Sequence, residues 1–188
     1  PKDIDLIYHL AAQSDIVASW KDPLHDLDNI RITARLVKEY PEAKIVYTNS
    51  CASIAINSPY GFSKWMCAEY LGFFHANTVT CILPNIFGDG SRSVVDIFKD
   101  KDDVIIYGDG KQTRDYVHVD DIVNGLLLAK DWSSGDYFMG SGKSVSVNDL
   151  AIGKNKTYLP KRKEIYKIEV PNKTPNWEPS INVLDYLK

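Results

Sequence analysis

The chain has 188 residues, of which 22 are Lys or Arg and 25 are Asp or Glu, so its net charge is -3. This balance argues against a nucleic-acid partner, which needs a clustered positive surface, and no apolar run is long enough to cross a membrane. The cysteines Cys51, Cys67 and Cys81 lack the spacing of a metal site or a disulfide framework, so we expect buried thiols, no metal and a reducing cytoplasm.

Short apolar strands alternate with helical segments in the first half of the chain, a pattern typical of a parallel sheet flanked by helices. The first predicted strand, residues 5–10, leads into small and polar residues at 11–14. A helix over roughly residues 23–40 follows. The next strand, residues 44–47, leads into Thr48, Asn49 and Ser50.

The segment Ser58-Pro59-Tyr60-Gly61-Phe62-Ser63-Lys64 predicts a helix start that carries an acid/base pair. Ser58 can cap the helix and Pro59 suits its first turn, so Tyr60 and Lys64, four residues apart, project from one face. A neighbouring ammonium favours the phenolate, and we expect the pKa of Tyr60 to fall below its ordinary value of about 10. Such a phenol can transfer protons near neutral pH.

The Tyr-x-x-x-Lys spacing alone is a weak signal, because Tyr40 and Tyr107 are also followed four residues later by a lysine. Pro41 directly after Tyr40 marks a helix boundary, and Tyr107 opens a glycine-rich turn. Only the pair beginning at Tyr60 is expected to lie within a helix, whose apolar face continues to Phe73.

A third strand, residues 79–83, ends at Pro84-Asn85-Ile86-Phe87-Gly88. Three successive strands therefore carry small or polar residues at their carboxyl ends, which meet at one edge of a parallel sheet. Open α/β sheets bind ligands at this edge. The convergence favours a binding site over a purely structural role for these residues.

Beyond Gly88 the composition shifts toward Gly, Asp and basic residues, which indicates a smaller second lobe. Arg114 lies between a turn and an apolar strand, where its guanidinium could bind a phosphate, or pair with Asp115 at the surface. A helix over residues 120–130, capped by Asp120 or Asp121, and a short strand over residues 137–139 are predicted next. A one-turn helix over residues 147–150 should stop at Gly153.

Taken together, these residues resemble the extended short-chain dehydrogenase/reductases, specifically the nucleotide-sugar epimerase/dehydratase branch and most closely its UDP-glucose and UDP-GlcNAc 4-epimerases. The resemblance covers nearly the whole chain. It is carried by His9-Leu10-Ala11-Ala12, Asn29, Ser50, Tyr60, Lys64, Pro84-Asn85-Ile86-Phe87-Gly88 and residues 107–121, the last being the most specific match.

The resemblance implies an α/β fold with a Rossmann-like, doubly wound parallel sheet and a smaller C-terminal substrate lobe. Residues 1–90 would be the remaining half of the NAD-binding domain. Residues 91–188 would mainly form the sugar-nucleotide lobe, with segments near residues 115–142 packing back on the Rossmann sheet.

The resemblance also implies roles for individual residues, with NAD as cofactor and a UDP-sugar as substrate. The catalytic residues would be Ser50, Tyr60 and Lys64. The cofactor would contact Leu10, Ala11, Ala12, Gln13, Asn29, Tyr60, Lys64 and Pro84, and the substrate would contact Ser50, Asn85, Arg114 and Arg162. Arg162 lacks the glycine that usually follows it. Relatives pair as homodimers through two long helices, here near residues 23–40 and 60–74.

Two departures from the family pattern stand out. The chain starts at what resembles the fourth strand, so the Gly-rich turn that cradles the cofactor pyrophosphate would lie upstream. Connections such as that from Ser50 to Tyr60 are also shorter than in the family. We expect upstream and loop residues to be missing from the numbered sequence. The alternative is a truncated, non-catalytic protein that binds nucleotide sugars.

The residues after Ser50 help to choose a reaction. Related dehydratases carry an Asp-Glu pair there, whereas this chain has Cys51 and Ala52. A site with Ser, Tyr and Lys can move a hydride and a proton but has no evident second acid for dehydration. We expect 4-epimerisation of a UDP-hexose or UDP-N-acetylhexosamine by transient oxidation at C4, with a 4-keto reductase or a dehydratase as alternatives.

Overall fold

The computed structural model describes residues 3–22, 24–161 and 167–188, and the chain divides into two compact units. The first unit comprises Pro1–Ile82 and Leu126–Tyr137, and the second comprises Leu83–Gly125 and Phe138–Lys188. The cofactor and substrate roles expected of residues 1–90 and 91–188 stay predictions.

The elements up to residue 83 belong to the first unit, except for the last residue of the third strand. In chain order they are β1 (Leu6–His9), α1 (Ile16–Lys21), α2 (Leu27–Glu39), β2 (Lys44–Ser50), α3 (Ala52–Ala55), α4 (Pro59–Phe74) and β3 (Thr78–Leu83).

The remaining elements belong to the second unit, except for the end of the sixth helix and the start of the seventh strand. They are β4 (Asn85–Phe87), α5 (Val94–Lys99), β5 (Asp103–Tyr107), β6 (Thr113–His118), α6 (Val119–Ala129), β7 (Gly135–Met139), β8 (Ser144–Ser146), α7 (Val147–Leu150), β9 (Asn155–Leu159), β10 (Asn172–Lys173) and α8 (Val183–Tyr186).

The sheet of the first unit has the strand order β1, β2, β3, β7. Strands β1 and β2 are parallel, with Leu6 opposite Lys44 and His9 opposite Tyr47, and α2 lies between them in the sequence. Helices α2 and α4 pack against each other, and the core beneath them includes Ile45, Tyr47, Cys67 and Leu71. The carboxyl ends of β1 and β2 are therefore neighbours, as the alternating pattern predicts.

The helix predicted over residues 23–40 is shorter than expected, and a separate helix precedes it. Asp15 caps α1, because its side chain accepts hydrogen bonds from the Val17 and Ala18 amides. Helix α2 starts only at Leu27 and has no side-chain cap, since the carboxylate of Asp26 serves other partners. Pro23, the expected start, lies outside the described residues.

The second unit is built from small sheets. Strand β4 pairs in parallel with β6, which also pairs antiparallel with β8, and β5 pairs in parallel with β9. Strand β10 pairs antiparallel with the last two residues of β7. The core of this unit contains buried side chains from three of its elements and from the residue after α7, namely Phe87, Val95, Phe98, Ile106 and Ala151.

Helix α6 begins at Val119, one residue earlier than predicted, so the predicted cap at Asp120 or Asp121 is wrong because both residues lie in the first turn. The Asp121 carboxylate is buried and accepts hydrogen bonds from the Ser180 and Ile181 amides at 3.0 and 2.9 Å. It therefore secures the C-terminal segment rather than the start of α6. The one-turn helix predicted over residues 147–150 is α7, and Gly153 follows with φ +77°.

All three cysteines are buried and free, as expected. Within residues 3–22, 24–161 and 167–188, no helix has the length and apolar character needed to span a membrane. The same described ranges contain no group of three or more His, Cys, Asp and Glu side chains that could hold a metal ion.

Candidate active site

The end of β2 holds Ser50 in a fixed position. The Asn49 side-chain oxygen accepts a hydrogen bond from the Ser50 amide at 2.8 Å, and Ser53 Oγ donates to the Ser50 carbonyl at 2.7 Å. The Ser50 hydroxyl oxygen accepts from the Ala52 amide at 3.2 Å. Because this bond uses the hydroxyl as an acceptor, its proton is available for another neighbour.

Helix α4 begins where the sequence predicts. Ser58 is extended at the N-cap, its Oγ accepts from the Gly61 amide at 3.0 Å, and Pro59 occupies the first turn. A Cβ atom at position 61 would lie 2.4 Å from the Ala52 carbonyl oxygen, so this close backbone approach requires glycine. Gly61 thus lets the first turn of α4 pack directly on the segment that follows Ser50.

Tyr60 lies in this first turn, and its phenol is hydrogen-bonded with Ser50. Burial raises the pKa of Tyr60 above its ordinary value, while the hydrogen bond with Ser50 opposes the rise. Interactions with Cys51, Asp26 and Cys67 raise the pKa of the phenol further. The structure thus brings Ser50 and Tyr60 together, with the phenol in its protonated form at neutral pH.

Lys64 lies one turn further along α4 and is only 3% exposed. Its Nζ donates to the Thr48 carbonyl at 2.6 Å and lies 4.3 Å from the centroid of the Tyr47 ring. Burial lowers the pKa of Lys64 to about 8, so the ammonium form still dominates at pH 7. The expectation that the pKa of Tyr60 falls below its ordinary value is wrong for the protein alone, because burial raises this pKa and the opposing contribution comes from the hydrogen bond with Ser50.

The segment after β1 is tied to α4 through Asn29. Leu10 and Ala11 are exposed, whereas Ala12 and Gln13 are half-buried. The Asn29 side chain accepts from the Gln13 amide at 2.7 Å and donates to the Gln13 carbonyl at 3.2 Å.

The same Asn29 amide group also donates to Ser63 Oγ at 3.1 Å. Ser63 Oγ in turn donates to the Tyr60 carbonyl at 2.9 Å. Asn29 therefore connects the predicted cofactor-binding segment to the turn that carries Tyr60, which explains its predicted structural role in physical terms.

Two further polar residues of this network, Asp26 and Ser19, escaped the sequence reasoning. Asp26 is buried, and its carboxylate accepts from Ser19 Oγ at 2.5 Å and from the Gln13 side-chain amide at 3.4 Å. No pattern in the sequence distinguishes Asp26, because burial of a carboxylate has no signature in a single sequence.

In the second unit, a cavity of about 220 Å³ is lined by two predicted substrate-binding residues, Asn85 and Arg114. Asn85 opens β4 opposite Tyr116 of β6, and Arg114 lies two residues earlier on β6, on the same face of the strand. The Arg114 guanidinium donates to the Thr113 carbonyl at 2.8 Å. Tyr107 also lines the cavity, so a cation, an amide and aromatic rings share one concave site.

The Asp115 carboxylate forms its hydrogen bonds with residues other than Arg114, the pairing that the sequence had left open. Asp115 is buried, and its carboxylate accepts from the Ser141 and Gly142 amides at 2.9 and 3.1 Å. Burial raises the pKa of Asp115, and these hydrogen bonds oppose the rise. Pro84 is buried directly before β4. Arg162, the predicted second diphosphate-binding residue, lies outside the described residues.

The predicted site residues therefore fall into two groups. Ser50, Tyr60 and Lys64 lie in the first unit, together with Asn29 and residues 10–13. Pro84, Asn85 and Arg114 lie in the second unit. Their catalytic and binding roles stay predictions.

Comparisons with known proteins point to one family. The sequence model of the NAD dependent epimerase/dehydratase family matches residues 1–139. A putative UDP-glucose 4-epimerase from Methanocaldococcus jannaschii is 30% identical over 231 aligned positions, which cover 100% of this chain and 76% of that protein. Because the alignment is longer than the chain, this relative carries additional residues between the matched segments.

Solved structures show the same fold. The UDP-glucose 4-epimerase of Thermotoga maritima, crystallised with UDP-glucose, matches with a TM-score of 0.85 and 25% identity over 97% of this chain and 74% of its own. The UDP-glucose 4-epimerase of Thermus thermophilus, in complex with NAD, matches with a TM-score of 0.84 and 20% identity over 98% of this chain and 78% of its own. These matches confirm the predicted α/β, Rossmann-like fold class.

Proposed function

Because the chain belongs to the NAD dependent epimerase/dehydratase family, we propose that it is a 4-epimerase of UDP-hexoses or UDP-N-acetylhexosamines. The observation that carries the proposal is the joint placement of Ser50, Tyr60 and Lys64 at the end of β2 and the start of α4. The relatives with similar sequences are named UDP-sugar epimerases, which supports this substrate class.

NAD is the cofactor of the family, and we propose that the first unit binds its nicotinamide half. Lys64 is buried, yet among the described residues only the Thr48 carbonyl accepts a hydrogen bond from its Nζ, so donors remain for ribose hydroxyls. The small, exposed Ala11 at the end of β1 permits a close approach to the backbone. Bound NAD supplies the hydride acceptor and donor at sugar C4.

The residues of the chain would handle the protons of this reaction. Tyr60 would accept the proton of the C4 hydroxyl as the C4 hydride leaves. After the 4-keto sugar has turned, the hydride would return to the opposite face of C4 and Tyr60 would return a proton to the C4 oxygen. Ser50 Oγ, which is hydrogen-bonded with the Tyr60 phenol, would also hydrogen-bond to the C4 hydroxyl of the sugar. The Lys64 ammonium would stabilise the phenolate, which burial alone disfavours.

Substrate binding is proposed for the cavity that Asn85 and Arg114 line. The Arg114 guanidinium can form bidentate hydrogen bonds with a diphosphate, and the aromatic wall of the cavity suits a planar base. We propose that Arg162 adds a second charge to the same diphosphate. A nucleotide held in this way would stay anchored while the sugar turns.

Dehydration is disfavoured by the groups next to Ser50. Cys51 and Ala52 supply no carboxylate. The Asp26 carboxylate raises the pKa of Tyr60 through its charge, but it already accepts hydrogen bonds from Ser19 and Gln13. A 4-keto reductase needs the same Ser, Tyr and Lys, and it would consume reduced cofactor whereas an epimerase would not.

We also propose a homodimer formed through α2 and α4. Helix α4 exposes Phe62, Trp65 and Phe73, the last with 80% of its surface in solvent, and α2 exposes Ile32. The sequence had suggested core packing for at least half of the set Trp65, Tyr70, Phe73 and Phe74, but Trp65, Phe73 and Phe74 are exposed. Pairing the two helices with those of a second copy would bury this apolar face.

The Tyr60→Phe substitution tests the proposed chemistry. It removes the proton-transferring oxygen and keeps the ring, so turnover of UDP-glucose with NAD should fall by at least about 10²-fold, while UDP binding measured by calorimetry stays near the wild-type value. The matched control is Tyr40→Phe, which removes the same atom from a tyrosine with the same spacing to a lysine.

Undiminished turnover by Tyr60→Phe would refute the role of Tyr60. A wild-type protein that binds UDP-glucose but neither binds NAD nor turns over would favour the non-catalytic alternative.

A further inference from the structure

Lys64 has few partners for a buried ammonium. Its Nζ carries three N–H donors, and within the part of the chain that the structure describes a single acceptor, the Thr48 carbonyl, lies within hydrogen-bonding distance, at 2.6 Å. A single hydrogen bond leaves a long side chain free to rotate about that contact. A second interaction is needed to fix the direction of the remaining N–H groups.

Tyr47 supplies that second interaction. Its ring centroid lies 4.3 Å from Lys64 Nζ, within the range at which the negative face of an aromatic ring attracts a cation. The ring is 1% exposed and packs in the core with Cys67 and Leu71. The Tyr47 hydroxyl donates to the Lys64 backbone carbonyl at 3.4 Å, so the same tyrosine contacts both ends of this lysine.

The surroundings make Lys64 the dominant cation at this place. His9 of β1 stacks near Tyr47 with ring centroids 5.2 Å apart and shares a hydrogen bond of 2.9 Å with Thr33. Burial, and then the charge of Lys64, lowers the pKa of His9 to about 4, so this imidazole is neutral at pH 7. The other titratable groups that act on Lys64 or Tyr60 are Asp26 before α2, Cys51 after β2 and Cys67 on α4.

We propose that Tyr47 is a positioning residue for Lys64: its buried ring holds the ammonium at the end of β2 and leaves two N–H groups for a bound ligand. This inference rests on the proposed function in one respect, since that function gives the two N–H groups a catalytic use. The ring also compensates part of the loss of solvation that burial imposes on the ammonium. A tyrosine that served only to fill the core would act on the ammonium through burial alone, and the charge on its ring face would have no effect.

The test is an NMR titration of protein labelled with ¹³Cε-lysine, in which the Lys64 resonance is assigned by its absence from a Lys64→Met variant. Position 47 is changed first by Tyr47→Phe and then to 4-fluoro- and 3,4,5-trifluorophenylalanine. Fluorination withdraws charge from the ring face with little change in shape. The exposed Lys21 and Lys38 serve as internal controls.

The Lys64 midpoint should stay near the wild-type value in Tyr47→Phe and then fall stepwise with fluorination, by about one pH unit in total. A Lys64 midpoint that does not respond to fluorination would overturn the proposal. The titration does not depend on turnover. If the protein were inactive but its Lys64 midpoint fell stepwise with fluorination, the epimerase function would be rejected and the role of Tyr47 would stand.

Discussion

At the scale of single residues, burial sets the protonation states at the ends of β1 and β2. It raises the pKa of Tyr60, lowers that of Lys64 to about 8 and lowers that of His9 to about 4. At neutral pH, Tyr60 and Lys64 therefore hold their protons and His9 is neutral. Tyr60 can therefore act as a base only when its phenolate is stabilised, the role that we propose for the Lys64 ammonium.

The pKa of His9 predicts a loss of stability in acid. Between about pH 6.5 and 4 the unfolded chain binds a proton at His9 that the folded chain does not, so the free energy of unfolding falls as the pH decreases through this window. The loss attributable to this group is at most about 3 kcal/mol. Urea unfolding at pH 7.5 and pH 4.5 measures it.

A His9→Gln variant separates this effect from the titration of carboxylates, because glutamine can keep a hydrogen bond with Thr33 but cannot be protonated. The variant should lose less stability between the two pH values than the wild-type protein. The exposed His25→Gln substitution is the control and should follow the wild type. Equal acid sensitivity of the wild type and His9→Gln would contradict the assignment.

At the scale of elements, the sequence predicted most where the signal is local. The start of α4 was predictable because Ser58 and Pro59 act within one turn. The direction in which the pKa of Tyr60 shifts could not be predicted, since it depends on burial by distant segments. Helix α1 was missed although Asp15 carries a capping signal, because the six residues that follow are too few to show a helical period.

The exposed faces of α2 and α4 carry the prediction of a dimer. The Trp65→Glu substitution would place a charge in the proposed interface, and sedimentation equilibrium should change from twice the 21.2 kDa chain mass to the monomer mass. The control is Ile152→Glu, at an exposed apolar residue after α7. A monomeric wild-type protein would reject the dimer.

At the scale of the whole molecule, the predicted proton-transfer residues and the predicted nucleotide-binding residues belong to different compact units. The alternation of strands and helices in the first half of the chain was sufficient to predict a parallel sheet flanked by helices, whereas the Rossmann-like fold class came from the family resemblance. Composition also indicated the shift to a second lobe near Gly88, and the second unit begins close by at Leu83. The shapes of its small sheets depend on long-range pairing, such as that of β5 with β9, which has no local signal.

The central claim is that this chain interconverts UDP-sugar epimers by oxidation and re-reduction at C4. The most direct measurement is proton NMR of UDP-[4-²H]glucose incubated in ordinary water with the protein and NAD. We predict UDP-galactose that retains deuterium at C4, because the hydride that leaves the sugar returns to the same carbon without exchanging with solvent. Formation of UDP-galactose that has lost its C4 deuterium, or no UDP-galactose at all, would contradict the account.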